Sequence, residues 1–220
     1  MRGTTDTGYS AMIHNKTDTK ISTVIVDLGN VVLFFDHGAI CRKLSVRYGI
    51  DDQVVFQEIF QSDIERQFDD GRLSPELFTQ KCSKALGVSL DTVEFKSIWC
   101  DIFTENKPVI ELVKELRRNS RTLLLSNTNV WHIEHIRKRF SVLDLFDELV
   151  LSFQVGYSKP HRNIFERAIE LSLEPWEPSR SVFIDDIDSH IRAGMQMGLC
   201  GIHYTSTVQL KHQLSRIGVL

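Results

Sequence analysis

Two hydrophobic rhythms alternate along most of this chain. Short, unbroken apolar runs occur at 22–26 (Ser-Thr-Val-Ile-Val), 122–125, 148–151, 181–184 and 200–204. Runs of this length, rich in β-branched residues and Leu and not alternating with polar ones, predict strands buried on both faces of a parallel sheet. Between them the period changes. Val109, Leu112, Val113 and Leu116 recur at helical spacing behind Pro108, with Glu111, Lys114, Glu115, Arg117 and Arg118 facing away. Ile164, Phe165, Ala168 and Ile169 repeat the pattern behind Pro160, which is expected in the first turn of that helix, and Leu210, Leu214 and Ile217 predict a closing helix. Strand and helix alternating in this way predict an α/β fold with a doubly wound parallel sheet.

The stretch 36–105 breaks the rhythm. It holds no convincing buried strand, and its apolar residues, such as Val55 and Ile59 or Leu77, Cys82 and Leu86, read as helical or irregular. Asp70-Gly71 predicts a turn, and Ser74-Pro75-Glu76 predicts a helix start with a capping serine ahead of proline. The expected organisation is therefore a polar, poorly ordered tail at 1–20, a core at 21–36 and 106–220, and a helical cap at 37–105. Ligands of such sheets bind beyond the carboxyl ends of the strands, so an insertion leaving the first strand there covers the site.

Composition narrows the class only slightly. With 42% hydrophobic and 25% charged residues the 220-residue chain is globular, and a net charge of −3 supplies no electrostatic reason to bind nucleic acid or an anionic membrane. Cys41, Cys82, Cys100 and Cys200 form no pair at metal or redox spacing, which points to reduced thiols and a cytoplasmic protein. No apolar run approaches a bilayer span, and the first 20 residues lack a signal peptide's apolar stretch. Asn15-Lys16-Thr17 fits a glycosylation sequon that, without a secretion signal, is expected to be silent.

Three strand ends carry polar residues directly after the apolar run: Asp27-Leu28-Gly29-Asn30, Ser126-Asn127-Thr128-Asn129 and Asp185-Asp186-Ile187-Asp188. Any one of them reads equally well as a helix cap. Three together, with Lys159 in Gly156-Tyr157-Ser158-Lys159-Pro160, predict a site. Asp27, Asp185 and Asp186 against Lys159 leave two negative charges in a partly dry pocket, which a divalent cation cancels; oxygen-only ligands point to Mg²⁺. An Asp beside such a cation can act as a nucleophile, and the Ser126 hydroxyl, Asn127 N–H and Lys159 ammonium are the donors that a transferring phosphoryl group needs.

Asp27 in Val-Ile-Val-Asp-Leu-Gly-Asn-Val-Val, Ser126-Asn127, Lys159-Pro160 and Phe183-Ile184-Asp185-Asp186 resemble, in order, the four motifs of the haloacid dehalogenase superfamily. Asp-Leu-Gly-Asn-Val and Ser-Asn-Thr-Asn-x-x-His further resemble its branch of α-D-glucose-1-phosphate phosphatases. The resemblance implies a Rossmann-like core with a helical cap and Mg²⁺-dependent hydrolysis of a small phosphorylated metabolite. It makes Asp27 nucleophile and metal ligand, with the Gly29 carbonyl, Asp186 and, directly or through water, Asp185 as further ligands. Ser126 and Asn127 hold phosphoryl oxygens, and Lys159 neutralises charge on them and on Asp27.

One departure stands out. Phosphatases of the superfamily usually carry a second Asp two residues after the nucleophile, as general acid and base; here Gly29 occupies that place. Such help is worth roughly 10² to 10⁴-fold. His132, Asp36 and His37 are candidate substitutes, His132 also as a substrate-side residue, and each reads equally as a surface or capping residue. His132-x-x-His135 without a third ligand is a poor zinc signal. His190 stands where the related pattern has Asn, and Glu65, Arg66 and Arg72 are the cap residues from which substrate choice is expected. Against a phosphatase stand a catalytically weak phosphate-binding or regulatory protein that lost its acid-base residue, and a dehalogenase, which needs no metal and gives no use to Asp185-Asp186. The oligomeric state is not legible.

Overall fold

A computed structural model describes residues 20–220; the tail, apart from Lys20, and the sequon Asn15-Lys16-Thr17 lie outside the described residues. Five strands, β1 (Thr23–Val26), β4 (Arg121–Ser126), β5 (Glu148–Leu151), β6 (Ser181–Asp185) and β7 (Cys200–His203), form one parallel sheet in the order β5-β4-β1-β6-β7. The five predicted runs are these five strands. Side chains alternate between the faces. Val24, Val26, Leu124, Val182 and Ile184 meet α6 (Lys107–Leu116), α7 (Val130–Arg139) and α11 (Thr207–Arg216) on one face. Ile25, Leu123, Leu125 and Phe183 meet α9 (Arg162–Glu170) and α10 (Asp188–Gln196) on the other. Burying a side chain such as Phe183 completely is worth about 1.5–3 kcal/mol, and this two-sided burial is why the runs are apolar throughout.

The stretch 36–105 is largely helical: α1 (His37–Tyr48), α2 (Asp52–Val55) running into a π-helical turn at Phe56–Phe60, α3 (Ile64–Asp69), α4 (Pro75–Leu86) and α5 (Thr92–Cys100). Ser74 caps α4 as expected, its hydroxyl accepting from the Leu77 N–H, while Phe78 rather than Leu77 turns inward. These helices enclose a second core of Leu44, Ile59, Phe68, Phe78, Phe95 and Trp99, to which α7 contributes Trp131.

The structure adds one feature and corrects one expectation. The insertion is framed by strands, since β2 (Leu33–Phe35) and β3 (Phe103–Glu105) pair antiparallel at its two ends; three residues each are too few to show a period. Pro160 lies outside the first turn of α9, because His161 caps that helix and Pro160 precedes it, joined to Lys159 by a cis peptide. Among the described residues no helix is long and apolar enough to cross a membrane, and all four cysteines are free.

Candidate active site

The in-register pairing of β1 with β4 and β6 brings Asp27, Ser126 and Asp185 to one edge of the sheet. The buried Lys159 ammonium joins them: Nζ stands 2.8 Å from Asp27 Oδ1 and 2.7 Å from Asp185 Oδ2, and donates to the Leu125 carbonyl at 2.9 Å. All three predicted carboxylates, Asp27, Asp185 and Asp186, offer oxygens within 4.8 Å of one another, and no other such group exists among the described residues. His132 and His135 therefore form no metal site with a third ligand there.

Charge is distributed unevenly in this group. Burial is the largest influence on Asp27 and, reinforced by Asp185 and Asp186, pushes its carboxyl up to about 7 against the pull of Lys159. Burial also disfavours ionised Asp185, but Lys159 and His190 outweigh it and hold that carboxyl down at about 2. Both of its oxygens are engaged: His190 Nδ1 lies 3.1 Å from each, and the Ile187 N–H donates to Oδ1 at 2.8 Å. Asp186 is half-buried, raised by burial and by Asp185, with the Asn30 side chain bonded to it. Asn30 has φ +53, a left-handed backbone that asparagine tolerates better than most residues, and its N–H donates to the Leu33 carbonyl at 2.7 Å. Three carboxylates around one ammonium leave an excess of negative charge, and the donors are all oxygen. That set fits a hard divalent cation such as Mg²⁺.

Asn127 has a task that sequence reasoning did not anticipate. Its side chain brackets the lysine backbone, Oδ1 accepting from the Lys159 N–H at 2.6 Å and Nδ2 donating to the Lys159 carbonyl at 2.9 Å. The buried Ser126 hydroxyl makes only a long bond, 3.4 Å, to the Asn127 carbonyl. Gly29 abuts an aromatic ring, for a Cβ there would fall 2.7 Å from Phe35 Cε1. The Phe35 ring thus lines the flank where the usual second Asp stands, and a side chain at position 29 requires that ring to shift.

His132 stands in the first turn of α7, as expected, and is buried. Its ring stacks on Trp99 and meets Phe103 edge-on, with Nε2 3.3 Å from the Trp99 carbonyl and Nδ1 3.2 Å from Asn129 Nδ2. Burial pushes it down to about 3 and keeps it neutral. It packs between the insertion and the core. Asp36 caps α1 and pairs with Arg42, and His37, lowered to about 4 by burial, stacks on Phe60 and lies 3.3 Å from Glu65. Arg66 pairs with Asp63, and Arg72 with Asp70. Asn30 and Asn129 were read only as parts of their strand-end motifs and Asp70 only as a turn residue, because the partners that engage their side chains, Asp186, Asp69 and Ser158, are distant in sequence.

The profile of the haloacid dehalogenase-like hydrolases matches residues 21–198. The chain belongs to this family. It is 27% identical over 186 residues to the D-ribitol-5-phosphate phosphatase of Bacteroides thetaiotaomicron, covering 81% of this chain and 89% of that one. A family enzyme of the same organism, solved with magnesium and inorganic phosphate, superposes with a TM-score of 0.72 at 22% identity, over 84% of this chain and 94% of its own. The L-2-haloacid dehalogenase of Xanthobacter autotrophicus superposes at 0.59 with 14% identity, over 91% of this chain and 84% of its own. The haloacid dehalogenase-like fold thus hosts both reactions, and the site must distinguish them.

Proposed function

We propose that this hydrolase is an Mg²⁺-dependent phosphatase of a small phosphate monoester, with Asp27 as its nucleophile. The carrying observation is the gathering of Asp27, Asp185 and Asp186 around Lys159 at the carboxyl edge of the sheet. A dehalogenase has no use for the second and third carboxylates. The phosphate-bound family enzyme and the ribitol-phosphate phosphatase relative support the same reading, and the latter's name favours a phosphorylated polyol or sugar over a specific 1-phosphate.

In this reading an Asp27 oxygen attacks phosphorus, the P–O bond to the substrate breaks, and an alkoxide leaves with a proton from solvent. Water then hydrolyses the aspartyl-phosphate and restores Asp27. Lys159 faces the charge that gathers on the phosphoryl oxygens and keeps Asp27 oriented. Ser126 Oγ and the Asn127 N–H supply further donors, and the Asn127 side chain holds the lysine backbone. Asp27, Asp186 and the Gly29 carbonyl would hold the cation, and Asp185, whose oxygens are already engaged, would support it at one remove. When bound, the cation offsets the excess carboxylate charge and polarises the phosphoryl group. Residues 37–105 serve as the lid over this edge.

Hydrolysis of p-nitrophenyl phosphate with and without Mg²⁺ tests the reading. Turnover is expected only with the cation and is expected to fall at least 10³-fold in Asp27→Asn. Phosphate binding without turnover would instead favour the weak or regulatory protein that Gly29 raises as an alternative, and metal-independent halide release from a haloacid would favour a dehalogenase.

A further inference from the structure

One turn of the insertion is bonded to both core loops that carry the candidate site. At the end of α3, Asp69 Oδ1 accepts from Asn129 Nδ2 at 2.8 Å, and the Asp69 carbonyl accepts from Ser152 Oγ at 2.6 Å. The Ser152 oxygen in turn accepts from the Thr128 N–H at 2.8 Å, so this contact reaches the loop after β4. The next residue reaches the lysine loop: Asp70, 6% exposed, accepts from Ser158 Oγ at 2.6 Å. Ser158 immediately precedes Lys159. Gly71 then turns with φ +68, pressed so closely on the core that a Cβ would fall 2.2 Å from the Phe153 carbonyl oxygen.

The lysine loop is therefore held from two sides. On the core side the Asn127 side chain grips the Lys159 backbone through two hydrogen bonds. On the insertion side the hold is Asp70. We propose that Asp70 is a positioning residue, which through Ser158 fixes the loop that sets the Lys159 ammonium between Asp27 and Asp185. A group displaced by about 1 Å from its productive place can cost 10²-fold in rate. Docking of the Asp69–Gly71 turn thus couples the insertion to the catalytic lysine. The kinetic consequence rests on the phosphatase reading; the structural one does not.

Two measurements on the full chain test this. In p-nitrophenyl phosphate hydrolysis at saturating Mg²⁺, Asp70→Ala and Ser158→Ala are each expected to lower kcat about tenfold and to change KM less than twofold. The double variant is expected to lose no more than either single one, because both remove the same bond. Asp70→Asn, whose amide oxygen still accepts, is expected to recover most of the rate. In amide hydrogen exchange the Lys159 N–H is expected to lose about tenfold protection in the two alanine variants and to keep it in Asp70→Asn. Multiplicative losses, a kcat unchanged in Asp70→Ala, or unaltered exchange at Lys159 would overturn the proposal. A wild type inactive on p-nitrophenyl phosphate would sink the phosphatase reading, and the exchange measurement would still decide whether Asp70 positions the loop.

Discussion

Two buried clusters of titratable groups stand side by side in this molecule, and only one of them retains paired charges. In the loop after β4, Asn127 bonds to Lys159 at the sheet edge, while Asn129 bonds to Asp69 in the seam beneath the insertion. At the edge Lys159 keeps its proton although burial opposes it, since Asp27 and Asp185 outweigh that effect, and Asp185 stays ionised beside Lys159 and His190. In the seam, burial dominates. It drives His37, stacked on Phe60, and His132, between Trp99 and Phe103, down, and Glu65 and Asp69 up, each toward its neutral form. Partner density separates Lys159 and Asp185 from the seam groups: their charges survive because opposite charges and N–H donors converge on them, whereas Asp27, although at the edge, is raised to about 7 by burial just as Asp69 is. At the edge three carboxylates face one ammonium, while the seam's groups are each driven toward their neutral forms.

The largest test of this contrast removes the cation at the edge. Lys159→Met leaves Asp27 and Asp185 facing each other with His190 and the Ile187 N–H on Asp185 as the remaining support, and removing one partner of a buried ion pair costs about 3–5 kcal/mol. Urea unfolding at pH 7.5 in chelator is expected to show that loss, and millimolar Mg²⁺ to return part of it. An unmoved midpoint would abolish the distinction between edge and seam.

The seam yields a smaller effect with a definite sign. Below 6.5 an unfolded chain protonates His132, while the native state takes up that proton only near pH 3. Stability from this residue is full above 6.5 and is lost as pH falls through that window, by up to about 1.4 kcal/mol per pH unit. His132→Phe keeps a ring in place and is expected to flatten the acid slope of urea midpoints measured at pH 7, 5.5 and 4.5. Asp69 runs the other way, since its native value near 7 means stability falls as pH rises from 3.8 toward 7. Asp69→Asn is expected to steepen the net rise of stability with pH over that interval.

The smallest effect belongs to Phe35, the ring that touches both regions, beside Gly29 at the edge and tilted against His37 in the seam, ring centres 4.8 Å apart. Gly29→Asp alone requires that ring to move. Combined with Phe35→Ala, it is expected to raise the ratio of alkyl to aryl phosphate hydrolysis about tenfold, because an alkyl leaving group depends more on general acid help. The single variant is expected to shift that ratio less than twofold. Equal ratios in both would mean that Phe35 is not what excludes an acid from this flank.

The strands of the sheet were readable because burial on two faces demands continuous apolar runs, and Asp27, Ser126 and Asp185 were readable because the residue after such a run sits at the sheet's edge. Lys159 joined them through its motif. The strands framing the insertion escaped notice because three residues carry no period, and His132 looked like chemistry because a histidine near a strand end looks the same in sequence whether it meets substrate or tryptophan.

What the order of residues determined by itself is local: which segments are apolar on which period, where the chain turns, and which polar side chains follow each strand. Tertiary structure alone decided that Asn127 grips the lysine loop, that Asp70 reaches it from the insertion 88 positions away from Ser158, and that Phe35 lines the flank of Gly29. These are contacts between segments whose separation along the chain is unrelated to their separation in space. Their energies depend on desolvation and distance, which exist only once the sheet and the insertion have packed.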